Sequence, residues 1–445
     1  MQQVFTKDNF FRVLRSLTSS NDLFIAYSGG LDSHVLLHVL AMLRTVHPEL
    51  QLTAIHVNHS LSKNALLWEE HCKTQCLKLD VPLLFVNVNA RIKINQHSPE
   101  EIARKLRYEA FAEILPKGAC LLTAHQANDQ AETLLLQLFR GAGVKGLSAM
   151  PSITSFAQGF LLRPLLPYTR NQLQAYATLQ HLSWIEDESN FDTQYDRNFL
   201  RHNLLPQITQ HWSGIVTALN RVAMHSAETS YLLDEIGASD LLTVGEGETN
   251  FLSISKLLAL HEYNQRNLLR YWIEKRNFPT PSATKLQQIE QTVLRSRSDA
   301  MPQVTWHGAE VRRYQDKLYV MTPISPHDNT IQLPWDLSSS LLLPSNIGTL
   351  TATIINFNPT INRDKFSVRF RCGGETIVPE KRKHHHALAK LMQEWQVPPW
   401  QRDRIPLVYY ADELIAVVGL CYRAGWEQML KLSLQGAVNN DTTVS

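Results

Sequence analysis

The sequence predicts an α/β protein: an N-terminal parallel β-sheet of the Rossmann-like type, a helical middle domain and a small α+β C-terminal domain. Two observations predict this organisation. Short apolar runs without strict alternation recur between helical patterns in the first third of the chain, which is typical of a parallel sheet covered on both faces. The chain also has 445 residues, which is too many for a single hydrophobic core.

The first third alternates strand and helix as such a sheet requires. We expect strands at residues 23–27, 52–57, 83–88 and 119–124, and helices at residues 33–40, 62–79, 100–115 and 129–139. In parallel sheets, ligands bind beyond the carboxyl ends of the strands. The polar residues that follow these strands, among them His56–His59 and Thr123–His125, are therefore the candidates for function.

The rest of the chain changes in character twice. We expect, in order, helices at 261–276 and 283–295, a β segment at 310–321, a proline-containing linker at 322–345, strands at 366–371 and 414–420, and a helix near 387–395. These changes predict three domains, at residues 1–214, 215–325 and 335–436.

The composition is that of a globular protein, with 44% apolar and 19% charged residues. No apolar run approaches the length of a membrane span and the first residues lack a signal-peptide core, so a cytoplasmic location without membrane contact is expected. Five cysteines form no disulfide framework, and Cys72 and Cys76 are interpreted as core thiols rather than metal ligands. The net charge of +2 means that any nucleic-acid binding depends on local basic patches.

The most informative segment is Ser28-Gly29-Gly30-Leu31-Asp32-Ser33, between a predicted strand and a predicted helix. Paired glycines let backbone N–H groups approach a phosphate, and the helix N-terminus attracts an anion. Ser28 and Ser33 add hydroxyl donors. Asp32 has the wrong charge for a phosphate contact, so we expect it to hold Mg²⁺ there. The segment is not a Walker P-loop, and the alternative is an ordinary glycine turn.

Two pairs of charged residues lie three positions apart on predicted helices. Asp129 and Glu132 share a helical face near the ligand edge of the sheet, which suits a cationic substrate or a metal; the alternative is a helix cap with an acid in the first turn. Within a nucleotide-binding fold we favour the functional interpretation. Arg104 and Arg107 fit two interpretations equally well: they bind a phosphate or carboxylate, or they are part of a solvated charged face. Their spacing alone does not decide between the two.

Two basic segments are candidates for nucleic-acid contact. Arg197 and Arg201 share a face suited to phosphates, although a polar stretch of this kind is often only a surface loop. Residues 363–405 hold ten Lys and Arg against five Asp and Glu. The densest cluster there is Lys381-Arg382-Lys383, with Trp395 and Trp400 nearby, a combination that fits RNA. A solvated charged face is the alternative, and for this cluster taken alone it is slightly favoured.

Together these segments resemble the tRNA(Ile)-lysidine synthetase family, whose nucleotide loop is that of the ATP pyrophosphatases and whose fold is of the adenine nucleotide α-hydrolase type. The resemblance covers nearly the whole chain and is weakest over residues 215–330. Gln126 and Asn128 depart from the family pattern, which leaves their roles open. The matching segments are 28–33, 56–61, Ala-Arg-x-x-Arg-Tyr at 103–108, Asp-Gln-Ala-Glu-Thr at 129–133, 140–143, 163–166, Glu-Asp-Glu-Ser-Asn at 186–190, Arg-Asn-Phe-Leu-Arg at 197–201, 369–375 and 397–407.

The resemblance implies an enzyme that adenylates the wobble cytidine of an isoleucine tRNA with a CAU anticodon and then joins lysine to carbon 2. It implies ATP and Mg²⁺ as cofactors and L-lysine and the tRNA as partners; a homodimer is left open. The implied ATP site consists of Ser28, Gly29, Gly30, Leu31, Asp32, Ser33 and His56, with Asp32 as the metal ligand. The implied catalytic residues are Asp32, Asp129, Glu132, Arg104 and Arg107. The implied substrate contacts are Asp129, Glu132, Arg197, Arg201, Lys381, Arg382 and Lys383.

Two other hypotheses remain at this point. A tRNA thiolase of the same superfamily would carry sulfur on paired or loop cysteines, whereas the closely spaced pair Cys72 and Cys76 is predicted to lie within a helix. A non-catalytic RNA-binding protein that senses ATP would not need Asp32, Asp129 and Glu132.

Overall fold

The computed structural model describes residues 4–58, 64–88, 99–186, 192–245, 250–297, 300–356, 361–380 and 382–436. The chain divides into two compact units, Met1–Leu232 and Leu233–Ser445. Over the described residues, no helix combines the length and the apolar character needed to cross a membrane.

The first unit is built on one six-stranded sheet. Its strands are β1 (Asp22–Ala26), β2 (Gln51–Asn58), β3 (Leu83–Asn87), β4 (Cys120–Leu122), β5 (Ile153–Phe156) and β6 (Gly159–Leu162). The strand order is β3-β2-β1-β4-β6-β5, and all neighbours are parallel except the hairpin β5-β6. The predicted fold class is confirmed. The carboxyl ends of β1, β2 and β4 therefore lie at one edge, where the polar segments begin.

Helices follow the strands in the expected order. They are α1 (Lys7–Leu17), α2 (Leu31–Arg44), α3 (Ala65–Lys78), α4 (Pro99–Ile114), α5 (Ala127–Phe139), α6 (Val144–Leu147), α7 (Arg170–Leu179), α8 (Asp196–Phe199), α9 (Leu205–His211) and α10 (Ile215–Val244). A π-helical turn, Leu200–Leu204, joins α8 directly to α9.

Both faces of this sheet are buried. Leu23 and Ile25 of β1 point into one core, which they share with α2, while Phe24 packs into a second core with Phe111 of α4. Alternate residues of one strand thus face different apolar layers, which explains why the strands lack polar alternation. Eleven of the fourteen residues of α2 are buried, so the helix that follows the nucleotide loop is held in the interior.

The second unit begins with a domain that contains the expected helices and the expected β segment near 310–321, together with two further strands. It contains β7 (Phe251–Ser253), α11 (Ile254–Ala259), α12 (Glu262–Lys275), α13 (Ala283–Gln288), a π-helical turn (Ile289–Leu294), β8 (Gln303–Trp306), β9 (Ala309–Tyr314) and β10 (Lys317–Met321). The strands form an antiparallel sheet in the order β7-β10-β9-β8. The helices cover one face of this sheet around Trp272, which is fully buried.

The C-terminal part is α+β, as predicted. It contains β11 (Leu333–Pro334), β12 (Leu341–Leu343), β13 (Gly348–Ile354), a 3₁₀ turn (Arg363–Lys365), β14 (Phe366–Arg369), β15 (Thr376–Ile377), β16 (His386–Ala387), α14 (Leu388–Glu394), α15 (Pro399–Arg402), β17 (Leu407–Tyr410), β18 (Glu413–Val417), β19 (Cys421–Tyr422) and β20 (Leu430–Gln435). The segment expected to be a linker contributes β11 to the sheet β11-β14-β17-β18-β19 and β12 to the sheet β12-β13-β20. It is therefore integrated into the domain.

Candidate active site

The nucleotide loop has the conformation that its glycines were expected to provide. Gly29 has φ +84°, in the left-handed region that disfavours a side chain. A Cβ on Gly29 would lie 2.9 Å from Ile185 Cδ1 and 3.0 Å from Cys72 Sγ. Gly30 precedes the first turn of α2 and has no side chain with which to cap it. The first backbone N–H groups of α2 therefore remain suited to an anion.

The two loop serines hold the turn together. Ser28 Oγ and Ser33 Oγ are 3.0 Å apart, and Ser33 Oγ donates to the Gly30 carbonyl oxygen at 2.9 Å. The backbone N–H of Ile185 donates to the Gly29 carbonyl oxygen at 2.9 Å. The Gly29 and Gly30 carbonyl groups are thus engaged within the protein, and the Gly30 N–H donates to Ser28 Oγ at 3.4 Å.

His56 supports the loop from below. It is buried, and its Nδ1 lies 3.0 Å from the Tyr27 carbonyl oxygen, next to the loop, and 3.5 Å from Cys72 Sγ. Burial lowers the pKa of His56, so the ring is neutral near pH 7 and donates to the carbonyl. The contact places His56 as a support of the strand-to-loop turn. Cys72 is also fully buried, and burial raises the pKa of its thiol to about 12.

Asp32 lies in the first turn of α2 with a carboxylate that the protein does not satisfy. Its Oδ1 is buried and has no hydrogen-bond partner among the described residues. Its Oδ2 is 4.0 Å from Arg170 Nη1. Burial, and then the charge of Asp129, raise the pKa of Asp32 to about 6, against the opposing effect of Arg170 and Arg201. A buried carboxylate oxygen without a donor is stabilised by a cation.

The donor set at Asp32 fits Mg²⁺ of the kind that arrives with a nucleotide. Mg²⁺ is commonly held by one or two carboxylates together with substrate phosphates and water. No group of three or more His, Cys, Asp or Glu side chains suited to a metal occurs within the parts of the chain that the structure describes. A single protein carboxylate beside a phosphate-binding loop is consistent with that mode of binding.

Two buried acids and two half-buried arginines form the centre of the site, and we call them the carboxylate–arginine cluster: Asp129, Glu132, Arg197 and Arg201. Arg197 donates from Nε to Glu132 Oε2 at 2.8 Å and from Nη2 to Asp129 Oδ1 at 3.0 Å. Arg201 donates from Nη2 to Asp129 Oδ1 at 2.8 Å. Glu132 is 1% exposed. The acids expected to meet substrate and the arginines expected to meet RNA thus contact one another.

The surroundings of Asp129 keep this acid ionised. The two arginines, His125 and the Gln126 backbone N–H outweigh the effect of burial and lower the pKa of Asp129. His125 lies beside Asp129 with its Nδ1 2.9 Å from Thr123 Oγ1, and burial lowers its pKa to about 4. At neutral pH the acid is ionised and the imidazole is neutral.

Gln126 and Asn128, whose roles the sequence leaves open, connect two helices at the sheet edge. Gln126 is the N-cap of α5: its Oε1 accepts from Asn128 N at 2.6 Å, and its own N–H donates to Asp129 Oδ2 at 3.0 Å. Asn128 Oδ1 accepts from Arg170 N, at the start of α7, at 3.1 Å. Asp129 therefore serves as a helix-capping acid, as the structural alternative proposed, and as an arginine ligand at the same time.

Arg104 lies on the exposed face of α4 with its guanidinium 5.3 Å from the centre of the Tyr108 ring. Arg107, on the same helix, is half-buried. Tyr108 also hydrogen-bonds Arg163. Burial lowers the pKa of Arg163, and the positive charge of Arg104 lowers it further. Arg104 and Arg163 are also close enough to His125 for their charges to lower its pKa. This group of arginines favours an anionic ligand.

Arg163 and Arg170 were not assigned a role from the sequence. Arg163 is 7% exposed and donates from Nη1 to the Pro151 carbonyl oxygen at 2.6 Å. Both residues follow the parallel strand β6 at the ligand edge. Strand β6 itself begins at Gly159, where a Cβ would lie 2.1 Å from the Ala119 carbonyl oxygen. An arginine shortly after a strand of a parallel sheet is the signal that would have found them.

Several predicted contacts belong to the second unit or lie outside the described residues. Arg382 donates from Nη2 to Glu394 Oε2 at 2.7 Å, and Lys383 is exposed. Lys381 lies outside the described residues, as do His59–Leu61 and the Asp-Glu-Ser-Asn portion of the motif at 186–190. Trp400, predicted as an RNA-stacking candidate, packs instead on protein aromatic rings.

Three family models match consecutive parts of the chain. A PP-loop domain model matches residues 3–208, a TilS substrate binding domain model matches residues 252–319, and a TilS substrate C-terminal domain model matches residues 366–433. The first match contains the nucleotide loop and the carboxylate–arginine cluster.

Relatives match over nearly the full chain. A tRNA(Ile)-lysidine synthase from Coxiella burnetii is 44% identical over 427 residues, which is 95% of this chain and 94% of the relative. The protein of the same name from Serratia proteamaculans is 42% identical over 92% of this chain and 93% of its own length. One from Legionella pneumophila (strain Lens) is 39% identical over 89% of this chain and 90% of its own length.

Proposed function

The chain belongs to the tRNA(Ile)-lysidine synthase family and is an ATP-dependent tRNA-modifying enzyme, and we propose that it joins L-lysine to the wobble cytidine of a tRNA(Ile) with a CAU anticodon. The observation that carries the site-level proposal is the unpaired, buried Oδ1 of Asp32 beside a glycine loop that leads into the N-terminus of α2. This is where a magnesium-bound polyphosphate is stabilised.

The proposed reaction has two steps. Cytidine O2 attacks the α-phosphorus of ATP, the bond from that phosphorus to the bridging oxygen breaks, and pyrophosphate leaves. The ε-amine of lysine, after loss of a proton, then attacks carbon 2 of the adenylated cytidine. AMP leaves with the former O2, and a second proton is lost from nitrogen. Since O2 is a weak nucleophile, in-line positioning supplies much of the rate.

The loop residues are proposed to bind the leaving pyrophosphate. The amide groups of Gly29, Gly30 and Leu31, with the hydroxyls of Ser28 and Ser33, face the phosphates, and His56 holds the turn through the Tyr27 carbonyl. Asp32 would hold Mg²⁺, which neutralises charge that develops on the pyrophosphate. Arg104 and Arg107 are proposed to position phosphate groups at the same edge.

The carboxylate–arginine cluster is proposed to serve the lysine and tRNA substrates. Asp129 and Glu132 supply negative charge that suits an ammonium group, and Arg197 and Arg201 supply positive charge that suits a phosphate. In the described arrangement each charge already has a partner of opposite sign. A charged group of a substrate that binds here must therefore replace one partner of an existing arginine–carboxylate contact and form an ion pair of equal strength.

The alternative of a tRNA thiolase has little support at the site. The Cys72 and Cys76 thiols are buried, and burial raises the pKa of each to about 12. The thiolate is the form that transfers sulfur or attacks, and a raised pKa removes it at neutral pH. The presence of Asp32, Asp129 and Glu132 together at the ligand edge of the sheet likewise favours a catalytic role over ATP sensing alone.

We propose a cytoplasmic location because ATP, lysine and tRNA are found there. In the C-terminal domain, Lys381, Arg382 and Lys383 are proposed to contact tRNA phosphates. In the Arg382–Glu394 ion pair, the Arg382 side chain is 37% exposed and the Glu394 side chain is 38% exposed. Exposed pairs contribute little stability, so a phosphate can replace the carboxylate at small cost.

The decisive experiment uses the purified full chain, ATP, Mg²⁺, labelled lysine and a tRNA(Ile) transcript with a CAU anticodon. We expect label in the tRNA together with pyrophosphate and AMP. The matched control is the same transcript with uridine in place of the wobble cytidine, which should accept no lysine. Incorporation into both transcripts, or pyrophosphate release that does not depend on tRNA, would contradict the proposal.

A further inference from the structure

An aromatic residue of the C-terminal domain packs on the sheet of the preceding domain. Trp400 lies in α15, and its ring centre is 5.7 Å from that of Tyr319 and 6.3 Å from that of Tyr314, both in edge-to-face geometry. The Arg312 guanidinium lies 5.5 Å from the centre of the Trp400 ring. Such aromatic and cation–π contacts each contribute beyond the area they bury.

The strand register explains why these residues form one surface. Tyr319 of β10 is directly opposite Arg312 of β9, and Lys317 is opposite Tyr314. Residues two apart on a strand share a face, so Arg312, Tyr314 and Tyr319 all lie on the sheet face away from the helices. Val311 and Leu318 point the other way into the helix-covered core.

The surface is preorganised for Trp400. Arg312 Nε donates to Glu310 Oε1 at 2.8 Å, and Glu310 is 1% exposed. This contact between a half-buried arginine and a buried acid holds the guanidinium beside the indole ring. Trp400 Nε1 is buried and makes no hydrogen bond with any residue that the structure describes, so its contacts here are made through the ring face and edges.

Two arginines that follow Trp400 complete the contact. Arg402 donates from Nη2 to Tyr314 OH at 3.2 Å and from Nε to the Val397 carbonyl oxygen at 2.9 Å. Arg404 donates to the carbonyl oxygens of Ser325 and Ser345 at 3.0 and 2.5 Å. Arg404 therefore ties both ends of the segment expected to be a linker to the same short stretch of chain.

We infer that the stretch 397–404 is a joint that fixes the C-terminal domain on the outer face of the β9-β10 sheet, and that Trp400 is a positioning residue for tRNA. The inference rests on the proposed function, because it assigns the joint a role in binding one tRNA at two domains. A fixed spacing between two binding surfaces raises the effective concentration of the second contact. Release of the joint leaves the domains tethered but not positioned.

The test compares Trp400→Ala with Trp400→Phe in the full chain. Because Nε1 has no partner among the described residues, phenylalanine retains the ring contacts and should behave nearly as the unchanged protein. Alanine should raise the KM for tRNA by about 10-fold, with kcat at saturating tRNA and the KM for ATP unchanged. Hydrogen exchange of the peptide over residues 322–345 should increase in the alanine variant only.

Trp306→Ala is the matched control. Trp306 is in the same sheet but packs with the helix-covered core, and its Nε1 donates to the Pro279 carbonyl oxygen at 2.7 Å. It should not change the KM for tRNA. Arg402→Gln is a milder second variant, which loses the Tyr314 contact and should raise that KM about 3-fold. It keeps the test usable if Trp400→Ala does not fold.

Any of three results would contradict the proposed joint. The first is an unchanged KM for tRNA in both Trp400→Ala and Arg402→Gln. The others are a rise in this KM in Trp400→Phe, or in Trp306→Ala, that equals the rise in Trp400→Ala. If the unchanged protein does not bind tRNA, the proposed function fails instead. Hydrogen exchange then decides whether the joint exists, since that measurement needs no tRNA.

Discussion

Arg201 holds Glu132 in a bidentate pair: Nε donates to Oε1 at 2.7 Å and Nη2 donates to Oε2 at 2.9 Å. The two residues are 69 positions apart in the chain. They join α5, which begins at the ligand edge of the sheet, to the π-helical turn between α8 and α9. Planar, parallel donors of this kind are the strongest ion-pair geometry that side chains form.

Breaking this pair from one side should be costly. We expect Glu132→Gln to lower the free energy of unfolding by about 3 kcal/mol, because two half-buried guanidinium groups then share the one remaining carboxylate of the cluster, Asp129. Urea unfolding measures the effect. Glu394→Gln, which breaks the exposed pair with Arg382, is the control and should cost less than about 1 kcal/mol. Equal losses in the two variants would contradict a buried role for Glu132.

The same variant separates the two substrates. If Asp129 and Glu132 serve lysine, Glu132→Gln should raise the KM for lysine more than the KM for ATP, because an amide cannot neutralise an ammonium. Steady-state kinetics with each substrate varied in turn gives both values. A parallel increase in both would indicate that the cluster acts on the nucleotide or on the fold as a whole.

Asp32 should be needed for adenylation but not for folding. Asp32→Asn keeps the size of the side chain and removes its charge. We expect it to abolish pyrophosphate release while tRNA binding stays close to that of the unchanged protein and the unfolding midpoint at neutral pH is the same or higher, because the ionised carboxylate opposes folding there. Near-normal pyrophosphate release would exclude Asp32 as the proposed magnesium ligand.

The raised pKa of Asp32, about 6, predicts a pH dependence with a definite sign. The folded state holds this proton more tightly than the unfolded chain, so Asp32 favours folding most at low pH, and that contribution is lost as the pH rises through about 6. Magnesium-dependent ATP binding needs the ionised form and should weaken about tenfold per pH unit below 6. Calorimetric titration across this range, with Asp32→Asn as the control, measures the slope.

The two loop glycines should respond differently to alanine. Gly29→Ala forces a left-handed backbone on a residue with a Cβ, at about 1–2 kcal/mol, and drives that Cβ into Ile185 and Cys72. Gly30 has φ −76°, and its added Cβ would be 3.6 Å from Ser28 Oγ, an ordinary contact. Gly30→Ala should therefore change the stability of the ligand-free protein by no more than about 0.5 kcal/mol.

The basic cluster at 381–383 should contribute to tRNA affinity and not to chemistry. Replacing Lys381, Arg382 and Lys383 by alanine should weaken tRNA binding and leave ATP binding unchanged. Each lost phosphate contact should reduce the slope of log K against log salt by about 0.7–0.9. Filter-binding titrations at several salt concentrations measure that slope. A slope equal to that of the unchanged protein would identify the cluster as a solvated face.

The N-terminal sheet could be predicted because its signals are local. Each strand is a short apolar run, and the nucleotide loop is a contiguous segment with its own turn chemistry. The pairing of Asp129 and Glu132 with Arg197 and Arg201 could not be predicted. The acids and the arginines are far apart in the chain, and no local pattern indicates that they contact one another. The helix-cap role of Asp129 was correctly kept as an alternative, because capping depends on residues only three positions away.

For the segment expected to be a linker, the local sequence signals predicted less regular structure than the protein has. Prolines at 323, 326, 334 and 344 predicted an irregular connection, but Pro334 lies in β11, an edge strand where a missing N–H is tolerated. The segment is fixed by Arg404, which is far along the chain. The three predicted domain boundaries stay predictions, as does the homodimer.

The carboxylate–arginine cluster also constrains the order in which the enzyme is made. A ribosome that has delivered α5 but not yet Arg197 has exposed both acids without either arginine. Burying them at that stage would cost several kcal/mol per charge. The growing N-terminal sheet therefore cannot close its ligand edge early. That edge is completed only when the segment through Arg201 emerges, so a nascent chain stopped before that point holds an open nucleotide loop and no assembled centre.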